Sequence, residues 1–133
     1  MFESRLGASA PYCLAAVLDG TLVGYFLAHG WVSNFPPPLG AILTDEVPIE
    51  VLYIHDLAVA RSGRGGALGR RLVTKAFEMA AADGLTIAEL IAVERAAGFW
   101  KKLDFDEPEI SPALAARVAA YGHGARWMAR TIP

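Results

Sequence analysis

VLYIHDLAVARSGRGGALGRRLVTKAFEMAAA, residues 51–82, decides the fold. Its first ten residues are an almost unbroken apolar run, interrupted by His55 and Asp56, the pattern of a strand covered on both faces. From Leu68 the apolar residues Leu72, Val73, Ala76, Phe77 and Ala80 recur at helical spacing, and Gly84 stops that helix. Between strand and helix lies the glycine-rich stretch Arg61 to Gly69. A buried strand that bends through glycines into a helix delivers amides to a phosphate, because the first four N–H groups of a helix have no partner inside it. Glycine lets the backbone approach a bulky diphosphate, and each contact with the helix dipole contributes about 0.3–1 kcal/mol at exposed sites. Arg61, Arg64, Arg70 and Arg71 crowd this end, where cations oppose the dipole unless an anion is bound.

Working outward, Tyr12 to Leu18 and Thr21 to His29 read as a hairpin turning at Asp19-Gly20. Gly30 to Ile49, with Trp31, Phe35 and the prolines at 36–38, reads as a long loop. Glu50 to Ala60 is the covered strand. After the helix Leu68 to Ala82, Thr86 to Val93 is a second apolar strand and Arg95 to Leu103 a short helix. Phe105 is expected to start another strand, Pro112 to Tyr121 is a final helix, and Arg126 to Ile132 a closing strand. That order predicts an α+β domain of three-layer type, a mixed central sheet flanked by helices, in a single unit spanning 1–133.

Two phosphate-binding patterns compete for the glycine stretch. A nucleotide P-loop needs lysine and a hydroxyl residue after the last glycine, but Gly69 is followed by Arg70-Arg71. A dinucleotide fingerprint needs Gly-x-Gly-x-x-Gly, and Gly63, Gly65 and Gly66 are out of that register, with Leu68 where the last glycine belongs; this alternative stays open but weak. The segment instead resembles the acetyl-CoA signature of the GNAT (Gcn-related N-acetyltransferase) superfamily, Gln/Arg-x-x-Gly-x-Gly/Ala after a strand ending Leu-x-Val. Leu57-Ala58-Val59 and then Arg64-Gly65-Gly66-Ala67-Leu68-Gly69 fall in that order. The likeness extends from Tyr12 to the C-terminus and includes Leu22-Val23-Gly24-Tyr25 and AGFWKKLDF at 97–105.

The resemblance implies a GNAT acyl-CoA N-acyltransferase fold and an N-acetyltransferase that uses acetyl-CoA, resembling small bacterial members. It further implies that the backbone of Leu57, Ala58 and Val59 pairs with the cofactor's pantetheine arm. The amides of Gly65 to Arg70 would hold the pyrophosphate, with Arg64 at the start of the motif and Phe99 and Trp100 beside the site. Ala67 replaces the first glycine; alanine keeps the amide but resists positive φ, so the turn can still bind if that residue is right-handed. Trp100 stands where relatives carry a tyrosine that protonates the leaving thiolate, and an indole N–H is no practical acid. Asp104 replaces another usual glycine. These departures support the alternative of a non-catalytic acyl-CoA-binding paralogue.

Acetyl transfer needs a base for the amine proton. His55, with an ordinary pKa of about 6.5, is the natural candidate, and Tyr53 shares its face by the two-residue period. Asp56 falls on the other face unless a bulge intervenes, as a second base or a structural acceptor. Glu50 is a weaker candidate, and Tyr25 or Tyr53 could replace the missing acid. Trp31 and Phe35 offer an aromatic wall for the acceptor, a small-molecule or peptide amine.

Composition bounds the partners. The 133 residues are 54% apolar and 20% charged, with a net charge of −2, so no global field attracts nucleic acid or an anionic membrane. The single cysteine, Cys13, rules out an internal disulfide and a cysteine metal cluster and reads as a small buried hydrophobe; no metal is expected. Without a membrane-length apolar run or a signal-peptide pattern, the chain reads as cytoplasmic. The family usually has a further strand and helices before the hairpin, which this start lacks; the bare edge of the sheet then suggests a homodimer.

Overall fold

The computed structural model describes residues 12–36, 49–60, 67–93 and 96–133. They form five strands, β1 (Leu14–Leu18), β2 (Thr21–Trp31), β3 (Val51–Val59), β4 (Ile87–Ala92) and β5 (Arg126–Thr131). Three helices accompany them, α1 (Leu68–Ala82), α2 (Ala97–Lys102) and α3 (Pro112–Ala119). The sheet runs β1-β2-β3-β4-β5 in space. β3 and β4 are parallel and every other neighbouring pair is antiparallel. The parallel pair needs a crossover, and α1 supplies it.

Alternation along the strands sorts side chains into two cores. Phe26 and Ala28 of β2, Leu52 and Ile54 of β3, Ala88 and Leu90 of β4 and Met128 of β5 pack with Leu72, Val73, Ala76, Phe77 and Ala80 of α1. The intervening Trp31, Tyr53 and Trp127 pack on the opposite face with Leu114 and Val118 of α3. Each large apolar side chain removed from water contributes about 1.5–3 kcal/mol, so this two-sided burial fixes strand register. A slip of one residue would exchange the two faces.

Turn chemistry agrees with the sequence at the hairpin, where Asp19 (φ 51°) and Gly20 (φ 79°) take the left-handed pair that matches strand twist. Gly84, at φ 87°, ends α1 as expected. Three expectations are corrected. β2 continues through Trp31, because Gly30 pairs with Leu52 as a strand residue; a Cβ there would collide with Ile49 Cγ2, so this glycine permits a close crossing and does not open a loop. Phe105 starts no strand: a single bridge joins Asp106 to Ala129, and Pro108 follows, lacking the N–H that a ladder needs. Cys13 is only half-buried, its Sγ 3.6 Å from the Ala28 carbonyl oxygen. The proline-rich residues 37–48 lie outside the described residues.

Asp104 explains itself at the end of α2. The Asp104 amide donates to the Lys101 carbonyl at 3.0 Å and that of Phe105 to the Trp100 carbonyl at 3.1 Å, with Asp104 at φ 67°. This paired ending puts its left-handed residue where glycine is preferred. Its carboxylate is 3.9 Å from Arg130 Nη1 but largely solvated, so the ion pair offsets little. Asp104→Gly should therefore raise stability by about 0.5–1 kcal/mol, read as a few degrees of Tm in a thermal melt.

Candidate functional site: a cleft where two strands part

β3 and β4 pair only from Leu52↔Ala88 to Ile54↔Leu90. Beyond that point β3 stays with β2, through Gly24↔Val59 and the Ala60 amide donating to the Val23 carbonyl at 2.7 Å. Since Ala60 faces β2, the alternation of backbone groups turns the amides of Leu57 and Val59 the other way. They border a cleft of about 630 Å³. Leu57, Ala58 and Val59 line one wall and Ala67, Leu68, Gly69 and Arg70 the head of the cleft; Phe99, Trp100 and Leu103 form the opposite side. The sequence-predicted residues 57–59, 67–70, 99 and 100 thus meet at one cavity. Arg64, Gly65 and Gly66 lie outside the described residues.

The head of the cleft is the start of α1. Its first helical bond runs from the Arg71 amide to the Ala67 carbonyl at 3.0 Å, so the amides of Leu68, Gly69 and Arg70 precede the ladder. Among the described residues no side chain caps them, and the first turn contains no acidic residue. Gly69 packs close: a Cβ there would come 3.3 Å from Phe99 Cζ and 3.7 Å from Leu57 Cδ2. Ala67 is left-handed, at φ 60° and ψ 22°, so the right-handed condition is not met. Its Cβ makes that conformation cost about 1–2 kcal/mol, so surrounding structure must hold it in place. Arg70 reaches across to donate to the Lys102 carbonyl at 3.3 Å. Trp100 is buried, edge-on to Phe99 (5.0 Å) and Phe105 (5.3 Å), and serves as the cleft's floor.

Next along β3 is a bulge. Leu27 pairs with Asp56 but Ala28 with Ile54, so His55 is the extra residue. The period-two expectation therefore breaks here: Tyr53 and Ile54 are both buried, and His55 and Asp56 are both exposed. Asp56 accepts a 2.7 Å hydrogen bond from the Tyr25 hydroxyl, and that bond is the main reason the Tyr25 phenol is pushed up. His55 Nε2 lies 2.6 Å from His29 Nδ1, with ring centroids 4.4 Å apart and planes within 10°. Tyr53 sits beside both rings, 5.0 Å from His55 and 6.2 Å from His29. Burial, and then the neighbouring Tyr121, drive its phenol far up, so it holds its proton and is a poor acid.

Trp31 is buried against His29, centroids 5.1 Å apart, and its Nε1 donates to the Phe35 carbonyl at 2.6 Å. Phe35 is more exposed and lies under the Arg117 guanidinium at 4.0 Å. Two residues that the sequence reading missed belong to this neighbourhood. His29 is 1% exposed, and burial, reinforced by His55, depresses its pKa to about 3. Glu89 is buried beside Tyr53 in the parallel register; burial raises its carboxyl. Its oxygens accept from the Asn34 amide at 2.9 Å and Ser33 Oγ at 3.2 Å, while Glu50 accepts from the Ser33 amide at 2.8 Å. Glu89 was visible as the one charge inside the apolar run 86–93. His29 had no such signal, because its partner is fixed by cross-strand register. No group of three or more metal-binding side chains gathers among the described residues. None of the described helices is long and apolar enough to cross a membrane.

Residues 1–105 match the acetyltransferase (GNAT) family. The chain is 41% identical over 97 residues to an uncharacterized N-acetyltransferase of Methanocaldococcus jannaschii, a match that covers 70% of this chain and 38% of that protein. It thus spans well under half the length of that relative. Among solved structures, an aminoglycoside 6′-N-acetyltransferase complexed with coenzyme A aligns with a TM-score of 0.69 and 19% identity, over 98% of this chain and 77% of that one. The ribosomal-protein-S18-alanine N-acetyltransferase of Escherichia coli aligns with a TM-score of 0.66 and 18% identity, over 98% and 74%. These structural likenesses carry the fold.

Two outcomes follow from the site's geometry. Ala67→Gly should raise Tm by relieving about 1 kcal/mol of strain, whereas Ala67→Val should lower it. His29 is neutral in the folded protein down to about pH 3 but titrates at its ordinary 6.5 when unfolded. Its contribution is present above pH 6.5 and is lost as the pH falls towards 3, because only the unfolded chain takes up the proton there. Denaturant melts of wild type and His29→Asn across that window should show a shallower acid loss for the variant. Glu89, raised by burial, acts with the opposite sign but is common to both proteins.

Proposed function

Because the chain belongs to the acetyltransferase (GNAT) family, we propose that it is an acyl-CoA-dependent N-acetyltransferase acting on a primary amine of a small molecule or peptide. The observation that carries this reading is the parting of β3 from β4 beside an uncapped helix start. A cleft of about 630 Å³ has the size of a small-molecule site. At its head are amide donors with no acidic neighbour in the first turn, and along its wall a strand edge suited to a ligand that carries amides of its own. These features fit acetyl-CoA: Leu68, Gly69 and Arg70 would hold its diphosphate, and Leu57 and Val59 its pantetheine arm. Gly65, Gly66 and Arg64 belong to the same motif. Phe99 would flank it, with Trp100 beneath.

Bound there, acetyl-CoA supplies a thioester carbonyl that the acceptor amine attacks, forming an amide and releasing thiolate. His55 is set out from the sheet by the bulge and takes the amine proton. Asp56 holds Tyr25 beside it, and Tyr53, locked in its protonated form, packs the histidine in place. The buried Trp100 is no acid, and a thiol with a pKa of about 8.5 leaves tolerably without one. Trp31 backs His29, leaving Phe35 as the more accessible aromatic on the acceptor side. The same reading has the protein working in the cytoplasm as a homodimer, with the exposed Val17, Leu18 and Leu22 of the first hairpin as the apolar contact.

Calorimetric titration with acetyl-CoA, CoA and NAD tests the cofactor, with binding of the first two expected. Gly69→Val, which drives a side chain onto Phe99 and Leu57, should weaken CoA at least about tenfold. In an amine-panel assay for released thiol, His55→Ala should lower kcat by about 10²-fold with CoA affinity kept. Binding without amine-dependent release would leave an acyl-CoA-binding module, and failure to bind CoA would sink the reading altogether.

A further inference from the structure

We propose that His29 is a positioning residue for His55: its Nδ1 accepts the hydrogen on His55 Nε2, so that Nδ1 of His55 is the nitrogen that takes the proton of an acceptor amine. The inference rests on the reading of His55 as the base. Three observations carry it. The two nitrogens are 2.6 Å apart, a separation that requires one hydrogen between them. The bulge that presents His55 at the surface also brings it onto a strand residue 26 positions earlier in the sequence. Finally, His29 is almost completely enclosed, against Trp31 and Tyr53, and its Nε2 is buried without a hydrogen-bond partner among the described residues.

Proton counting assigns the direction. An imidazolium has hydrogens on both nitrogens, so a protonated His55 must donate from Nε2. His29 can then only accept at Nδ1, since two N–H groups cannot face each other at that distance. If His55 already donates in its neutral state, gaining a proton at Nδ1 requires no rearrangement on either ring. The opposite tautomer would have to move a hydrogen across the contact in every cycle. The enclosure of His29 favours the same assignment, because a ring shielded from water accepts a hydrogen bond far more readily than a charge. With Nδ1 accepting, the hydrogen of neutral His29 is on Nε2 among aromatic rings, and an N–H suits a π face better than a lone pair does.

Two experiments test this. Long-range proton–nitrogen correlation spectra of histidine-labelled protein near neutral pH report each tautomer directly. The chain has three histidines, and His123→Gln removes the one that is not involved. A pyrrole-type Nε2 on His55 with a pyridine-type Nδ1 on His29 is expected; the reverse pattern overturns the proposal. In the thiol-release assay, His29→Leu should lower kcat by about ten- to a hundredfold at unchanged CoA affinity. His29→Asn, whose amide oxygen can accept in place of Nδ1, should recover most of the rate. Equal rates for wild type and His29→Leu would also overturn it. The spectra need no turnover, so an inactive wild type would defeat the acetyltransferase reading without touching the test of this contact, and the spectra decide even if a variant fails to fold.

Discussion

A backbone amide or carbonyl withdrawn from water has to find a partner, and in this fold one strand is kept from finding it within the sheet. Among the described strands, β3 is paired on both sides as far as Ile54 and continues with β2 to Val59. The β2 hairpin is long enough to hold β3 after β4 has left it, and Phe26 and the α1 side chains bury the face beneath. The parted edge is therefore rigid, and a ligand that completes it meets groups already aimed. That is preorganisation: ordering is done on folding and not on binding.

The same economy recurs in the strained residues. Asn34, Ala67 and Asp104 all take left-handed backbone, and each stands where one element gives way to the next. Asn34 is gripped by Glu89, Asp104 closes α2, and Ala67 starts α1 with no cap of its own. Strain of this kind persists where the surrounding packing is worth more than the strain costs. Ala67 adjoins the cleft, so its strain is borne beside the site and not in the core.

Local pattern made much of the architecture readable. The bounds of α1, Leu68 to Ala82, follow from five apolar residues at helical spacing and a terminating glycine. The head of the cleft was readable because the glycines before Leu68 mark where a strand bends into a helix. The chemistry was less so. A bulge inserts one residue into one strand, and nothing in VLYIHDLAV marks it; only the partner strand reveals that His55 is the extra one. His29 depends on that register, and so remained hidden. Gly30 was misread because a strand glycine and a loop glycine look alike until Ile49 is seen lying across it. Glu89 was legible in principle, as a charge in an apolar strand, and its meaning comes from the turn it grips.

That turn belongs to a neck. Trp31 pairs with Val51, the Glu50 amide donates to the Trp31 carbonyl at 2.9 Å, Pro36 is buried, and Ile49 is seated over Gly30. Chain entering and leaving residues 37–48 is thus clasped before the segment begins. For such a stem, doubling the inserted length costs only about 0.6 kcal/mol of closure entropy. Evolution can exchange this stretch as a cassette, leaving the sheet that carries it unchanged.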